Sequence, residues 1–115
     1  MLAGGSGFLG GALRTALAND GHAVANLTRS TTPRHSADIP WAPNGTAAGD
    51  WVNAIDGVDA VVNLAGEGIA DARWTDERKR AILDSRLAAT RSLVAAMAHV
   101  RTPPSVFVSA SAIGY

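Results

Sequence analysis

Cysteine is absent from the 115 residues, which excludes disulfides, thiolate metal sites and a cysteine nucleophile. Net charge is absent too, because ten basic side chains balance ten acidic ones, so no general attraction to nucleic acid or an anionic membrane is expected. No apolar run approaches the ~20 residues that span a bilayer, and no charged-then-apolar leader opens the chain. His22, His35 and His99 have no partner at metal-ligand spacing. We expect a cytoplasmic protein without nucleic acid, membrane or metal partners, and its oligomeric state stays open.

The residues that are present are typical of one small globular domain, with 47% apolar and 17% charged side chains. Leu9, Leu13 and Ala16 recur at helical spacing, and Asp20-Gly21 stops that helix. The predicted elements are a strand at 1–3, a helix at 8–19, a strand at 22–28, a short strand at 39–42, a short helix at 50–55 capped by Asp50, a strand at 59–64, a helix at 75–99 and a strand at 105–109.

This alternation of strands and helices predicts an α/β fold with a doubly wound parallel sheet and right-handed crossovers. Ligands bind such sheets beyond the carboxyl ends of the strands, where the strand order reverses. The candidate functional residues follow predicted strands. They are residues 4–10, Thr28-Arg29, Ala65-Gly66 and residues 109–111.

A glycine-rich segment follows the first strand and opens the first helix. It contains a G-x-x-G-x-x-G run at Gly4, Gly7 and Gly10. A dinucleotide loop needs a sharp turn, close backbone approach to a pyrophosphate and tight helix–sheet packing, and residues without a Cβ meet all three needs. The amides at the start of the helix then face the phosphates. The predicted binding residues are Gly4, Gly5, Ser6, Gly7, Phe8, Leu9 and Gly10; the alternative is a flexible glycine-rich turn.

The end of the second strand bears on which nicotinamide cofactor is bound. NAD-binding loops usually place Asp or Glu there to bind the ribose hydroxyls, whereas this strand ends in Thr28-Arg29 without an acid. An arginine fork suits the 2′-phosphate of NADP. We therefore predict NADP, with NAD as the alternative; a solvated loop arginine is the other interpretation of Arg29.

Four motifs in this order resemble the epimerase-family branch of the extended short-chain dehydrogenase/reductases, also described as NAD-dependent epimerase/dehydratase proteins. They are GGSGFLG at 4–10, DAVVNLAGEGIADARWT at 59–75, DSRLAATRSL at 84–93 and VFVSASAIGY at 106–115. The resemblance implies a Rossmann-like fold, with the pyrophosphate loop at Gly4, Gly7 and Gly10. It implies that the backbone of Leu64, Ala65 and Gly66 lines the adenosine and ribose side of the cofactor.

The same resemblance implies a reaction. Ser109 and Ala110 belong to the fifth-strand segment that carries the active-site hydroxyl, and Ser111 is the catalytic residue that the pattern implies. Its hydroxyl would hydrogen-bond the reacting oxygen of a small-molecule substrate, nucleotide-sugar-like or another carbonyl or hydroxyl compound, during hydride transfer. The family's Tyr-x-x-x-Lys pair is expected downstream of Tyr115, so residues 1–115 are interpreted as a partial NAD(P)-binding domain, inactive alone.

Two features leave alternatives open. Arg86 stands where many extended enzymes place an Asn, which is compatible with a non-catalytic NADP-binding sensor or scaffold. The first strand retains only residues 1–3 of the ~5 expected, which agrees with the interpretation of residues 1–115 as a partial domain.

Other residues are predicted to have surface or packing roles. A surface loop is predicted for Glu67, Arg73 and Trp74, a solvated helix face for the basic run 78–80, and packing at the edge of the sheet for Trp41 and Trp51. The long helix is predicted to turn Ile82, Leu83, Leu87, Leu93, Val94 and Met97 toward the core.

Overall fold

A computed structural model describes residues 1–4, 8–29, 37–65 and 75–110. Strands and helices alternate along the chain as the sequence predicts, because apolar residues recur at strand and helix spacing in turn. The elements are β1 Leu2–Ala3, α1 Phe8–Asn19, β2 Asn26–Thr28, β3 Asp38–Pro40, α2 Trp51–Ile55, β4 Ala60–Asn63, α3 Asp76–His99 and β5 Val106–Ser109.

The five strands of the described residues form one parallel sheet in the order β3-β2-β1-β4-β5. The short β1 lies in the middle, where Ala3 pairs with Leu27 on one side and Asn63 on the other. The strand order therefore reverses beside β1, as it does in doubly wound nucleotide-binding folds. The predicted α/β class and its Rossmann-like topology are confirmed.

The strands are shorter than the sequence patterns suggested. The predicted strand at 22–28 is confined to Asn26–Thr28, and the one at 39–42 lies at Asp38–Pro40. Each of these two strands pairs with the other over only three residues. In the described part of the chain the β2–β3 ladder has no further residue pairs beyond these three, and alternation along the sequence does not reveal where a partner ends.

The main core lies on the sheet face covered by α2 and α3. Ala3, Leu27 and Val61 occupy adjacent strands on this face, and Ile55 and Leu93 pack onto them from the helices. All five side chains are almost completely buried. Parallel strands are covered by helices in this way, which explains the consecutive apolar residues at 60–62.

Helix α3 presents a different stripe to the sheet from the predicted one. Ile82 and Leu93 are buried as expected, but the other buried apolar positions are the small residues Ala89 and Ala96. Small side chains let the helix axis approach the sheet closely. The prediction was wrong for three residues on the adjacent stripe, about 100° around the helix: Leu83, Leu87 and Val94 are 49%, 38% and 51% exposed.

The N-termini of α2 and α3 are capped differently. Thr75 caps α3, because its hydroxyl accepts a hydrogen bond from the Arg78 backbone N–H at 3.1 Å. Asp50 precedes α2, but within the described part of the chain its side chain accepts no capping hydrogen bond and its backbone is already helical. The predicted Asp50 cap was therefore wrong; backbone bonds such as Asn53 N–H to the Asp50 carbonyl at 3.1 Å form the turn instead.

Two tryptophans pack beside the edge strand β3, as predicted. The rings of Trp41 and Trp51 meet edge-to-face, with centroids 5.1 Å apart and planes at 77°. Trp51 donates its indole N–H to the Ala48 carbonyl at 3.0 Å, so its polar atom is satisfied in the core. On the opposite sheet face, α1 is tied to β3 by an ion pair between Arg14 and Asp38 at 3.0 Å. None of the helices in the described ranges has the length and apolar character of a membrane span.

Candidate functional site

The carboxyl ends of β2, β1, β4 and β5 lie side by side, and the residues that follow them are held by backbone hydrogen bonds. Gly4 N–H donates to the Leu27 carbonyl at 3.4 Å, and Leu64 N–H donates to the Ala3 carbonyl at 2.7 Å. Ala110 N–H donates to the Asn63 carbonyl at 2.9 Å. The structure thus brings Gly4, Leu64 and Ala110, predicted from three separate motifs, to one edge of the sheet.

Gly4 packs directly against the turn that follows β4. Its φ is +86°, and a Cβ built on it would lie 2.7 Å from the Leu64 carbonyl carbon and oxygen and 2.8 Å from Ala65 N. Heavy atoms in non-bonded contact do not approach that closely, and the conformation itself disfavours any residue with a Cβ. The close approach of these two segments therefore requires glycine at position 4.

Asn63 joins the ends of three elements through one buried side chain. Its amide nitrogen donates to the Thr90 hydroxyl of α3 at 3.1 Å and to the Ser109 hydroxyl of β5 at 3.3 Å. Its amide oxygen accepts from Ala65 N–H at 3.1 Å. The residue is 4% exposed, so these bonds form away from bulk water, where an unmade bond is costly.

Sequence reasoning did not assign this role to Asn63 or Thr90. The available signal was an Asn that interrupts an otherwise apolar strand run at 60–64. A buried polar side chain in such a run must be hydrogen-bonded, which marks it as a positioning group. Its partner on α3 could not be found from the sequence, because 27 residues separate the two positions.

A small cavity of about 60 Å³ opens at the same edge of the sheet. It is lined by Arg29 after β2, Pro43 after β3, Ala65 after β4, and Ser85 and Ala89 of α3. The predicted residues Arg29 and Ala65 therefore line one space. The contributions of Pro43, Ser85 and Ala89 were missed, since Pro43 lies outside the four motifs and the motif at 84–93 was given no site residue.

The first helix starts close to this edge. Phe8 is the first residue of α1, Leu9 is exposed and Gly10 is buried. The first turn of α1 contains no acidic residue. No negative side chain in that turn would therefore repel an anion from the positive end of the helix. Thr28 is buried at the end of β2, and its carbonyl accepts from Trp41 N–H at 2.9 Å. The predicted residues Gly5, Ser6, Gly7, Gly66 and Ser111 lie outside the described residues.

Residues 1–4, 8–29, 37–65 and 75–110 contain no group of three or more His, Asp or Glu side chains arranged to hold a metal ion. Arg86 is half-buried on α3, one residue after the cavity-lining Ser85. The loop residues Glu67, Arg73 and Trp74 are outside the described ranges, so the surface role predicted for them stays a prediction.

The sheet order, the crossover beside β1 and the glycine packed at the strand ends define a doubly wound α/β protein of the Rossmann type. The chain belongs to the NAD dependent epimerase/dehydratase family, because the sequence model of that family matches residues 1–114. The resemblance drawn from the four motifs is confirmed.

Relatives and solved structures agree with this assignment. An epimerase family protein of Mycobacterium leprae is 38% identical over 115 residues, which cover 99% of this chain and 36% of the relative. The crystal structure of a human epimerase family protein with NADPH matches with a TM-score of 0.79 at 33% identity, over 97% of this chain and 36% of the human one. Uronate dehydrogenase from Agrobacterium tumefaciens shares the fold, with a TM-score of 0.63 at 24% identity over 96% of this chain and 39% of its own. The chain thus spans little more than a third of the length of these proteins.

Proposed function

We propose that this chain supplies the NADP(H)-binding part of an epimerase/dehydratase-type oxidoreductase. The observation that carries the proposal is the packing of Gly4 on Leu64 and Ala65 at the edge where the strand order reverses. A glycine turn that leaves no room for a Cβ, followed by a helix that begins at Phe8, is the arrangement that lets backbone approach a pyrophosphate. The human relative, whose crystal structure contains NADPH, adds support.

Such a cofactor would contact the chain in two places. Gly4 and the start of α1 (Phe8, Leu9 and Gly10), together with Gly5, Ser6 and Gly7, would hold the pyrophosphate. The adenosine side would lie along the surface formed by Arg29 and Ala65 at the mouth of the small cavity, with the backbone of Thr28, Leu64 and Gly66 beside it. The guanidinium of Arg29, which is exposed at the end of β2, would pair with the ribose 2′-phosphate and favour NADP over NAD.

The reacting end would lie beyond β5. The Asn63 amide fixes Ser109 at the strand end, and Ala110 continues toward Ser111, whose hydroxyl we assign to the reacting oxygen of the substrate. When bound, the nicotinamide would supply the hydride chemistry of the whole protein. We propose a nucleotide-sugar-like substrate, or another small molecule with a carbonyl or hydroxyl group.

Titration with NADPH, NADH and 2′,5′-ADP tests the cofactor assignment, with nicotinamide fluorescence or calorimetry as the readout. We expect NADPH to bind more tightly than NADH, and Arg29→Ala to weaken NADPH and 2′,5′-ADP by about 10-fold or more while leaving NADH nearly unchanged. Arg101→Ala is the matched control, since Arg101 is exposed in the connection between α3 and β5 at the other edge of the sheet. Equal affinities for NADPH and NADH in a folded chain would contradict the NADP assignment, and no binding of either would contradict the cofactor site.

A further inference from the structure

The segment that follows the edge strand β3 is anchored at two points. At its start, Trp41 N–H donates to the Thr28 carbonyl at the end of β2, at 2.9 Å. At its far end, Gly45 N–H donates to the Ser92 hydroxyl of α3, also at 2.9 Å. Pro43, which lines the small cavity at the carboxyl edge of the sheet, lies between these two anchors. The two hydrogen bonds therefore set where Pro43 stands relative to the sheet and to α3.

Residues 44–46, which we call the β3 turn, are closed by a local side chain. The Asn44 amide oxygen accepts from Thr46 N–H at 3.1 Å and from the Thr46 hydroxyl at 2.7 Å. Asparagine closes turns of this kind by bonding to the backbone two residues further on. Gly45 lies between the two with a φ of +90°, a conformation that favours glycine. The bond from Gly45 to Ser92 then joins this turn to α3.

Ser92 is a completely buried polar residue on α3. It lies about one helical turn from Ala89 and about two turns from Ser85, so the three small side chains share one face of the helix. Ala89 and Ser85 line the cavity. A buried hydroxyl must be hydrogen-bonded, and Gly45 N–H supplies a partner. The bond thus holds the β3 turn against the face of α3 that lines the cavity.

We propose that Ser92 is a positioning residue for the adenosine side of the cofactor, acting through the β3 turn on Pro43. The inference rests on the proposed function, in which the adenosine lies along Arg29 and Ala65 at the mouth of the cavity that Pro43 also lines. A wall that is fixed before binding does not have to be ordered by the ligand, and affinity is gained. Because NADPH and NADH both carry adenosine, Ser92 affects both, whereas Arg29 distinguishes between them.

Ser92→Ala removes the oxygen that accepts from Gly45. In titrations of the whole chain with NADPH and with NADH, we expect both affinities to fall about 3- to 10-fold and their ratio to stay unchanged. Asp56→Ala is the matched control, because the Asp56 carboxylate accepts from Thr102 N–H at 2.8 Å in the connections that precede β4 and β5, at the opposite edge of the sheet. This control also removes a bond from a side-chain oxygen to a loop N–H, and its cofactor affinities should equal those of the parent. Circular dichroism checks that each chain is folded.

A second pair of variants changes the β3 turn without changing the core. Gly45→Ala places a side chain at a φ of +90°, so the turn must shift, although the nearest atom to the new Cβ is the Arg91 Cβ at 4.0 Å. We expect the same loss of about 3- to 10-fold for both cofactors. Gly21→Ala is its control, since Gly21 has a φ of +87° and its Cβ position is open among the described residues, in the connection between α1 and β2. Its affinities should not change. This pair decides if Ser92→Ala does not fold.

Three results would overturn the inference. If the parent binds NADPH and the folded Ser92→Ala chain binds it equally well, the inference fails and the proposed function stands; Gly45→Ala takes the place of Ser92→Ala if the latter does not fold. Equal losses of affinity in the control variants would show that general destabilisation, and not the β3 turn, lowers the affinity. No binding of either cofactor by the folded parent chain would overturn the proposed function and this inference with it.

Discussion

The Asn63 amide nitrogen donates to the Ser109 hydroxyl at 3.3 Å, and this bond links the carboxyl ends of β4 and β5. The same amide contacts Thr90 of α3 and the turn at Ala65. The turn proposed to line the cofactor and the strand end that leads to the proposed catalytic Ser111 are thus oriented by one side chain. A substitution at Thr90 should therefore alter the positions of both the turn at Ala65 and the strand end at Ser109.

Replacing Thr90 tests this arrangement. Thr90→Val keeps the shape of the side chain but removes the oxygen that accepts from the buried Asn63 amide, so we expect a loss of about 1–3 kcal/mol in the free energy of unfolding. Thr90→Ser keeps the hydroxyl and should retain most of the stability. Urea unfolding measures both variants, and NMR exchange at the Ala65 amide reports whether the turn has loosened. Equal stabilities for the two variants would contradict a role for this hydrogen bond.

Gly4→Ala tests the packing of the glycine turn. The substitution places a methyl group within 2.8 Å of the Leu64–Ala65 backbone at a φ of +86°, and the backbone conformation alone costs about 1–2 kcal/mol. We expect reduced stability in urea unfolding and a large loss of NADPH affinity in the fluorescence titration.

Gly11→Ala is the control for that variant. Gly11 lies inside α1, and apart from its chain neighbours and the adjacent helix backbone no described atom lies within 4 Å of the position of its Cβ. Alanine is favoured over glycine by up to about 1 kcal/mol in a helix interior, so this variant should be as stable as the parent or more so and should bind NADPH unchanged. Equal losses for Gly4→Ala and Gly11→Ala would indicate a general intolerance of substitution near the loop.

The buried stripe of α3 predicts opposite outcomes at neighbouring positions. Leu93 is completely buried whereas Val94 is half exposed. Leu93→Ala should cost about 2–5 kcal/mol through lost burial and a cavity, while Val94→Ala should change stability by less than about 0.5 kcal/mol. Thermal and urea unfolding compare the two. A larger loss of stability for Val94→Ala than for Leu93→Ala would show that the stripe containing Val94, and not the one containing Leu93, packs on the sheet.

The amino terminus predicts a pH dependence of stability. Burial lowers the pKa of the Met1 amine in the folded chain below its ordinary value of 8.0, with Asp59 opposing the shift. Between the lowered pKa and about 8.0 the unfolded chain binds more protons than the folded chain, so stability should rise with pH through that window. Unfolding followed from pH 6 to 9 measures it, and an amino-terminally acetylated chain is the control. A rise that persists after acetylation would have to come from another group.

The sequence by itself determined the alternation of strands and helices, the parallel sheet and the family. The glycines at 4, 7 and 10 and the four ordered motifs are local features, and periodicity and turn chemistry are readable along the chain. Helix α1 lies at Phe8–Asn19, as its apolar spacing predicted. Arg29 and Ala65 could be proposed because each directly follows a predicted strand.

Only the tertiary structure decided which of these residues meet. The contact of Gly4 with Leu64, the bond from Asn63 to Thr90 and the buried stripe through Ala89 and Ala96 depend on how elements distant in sequence pack together. The α3 stripe was mispredicted because hydrophobicity alone favours large side chains, whereas close packing on a sheet selects small ones. Strand lengths were likewise set by the partner strands, because an extended segment becomes a strand only where a neighbour completes its hydrogen bonds.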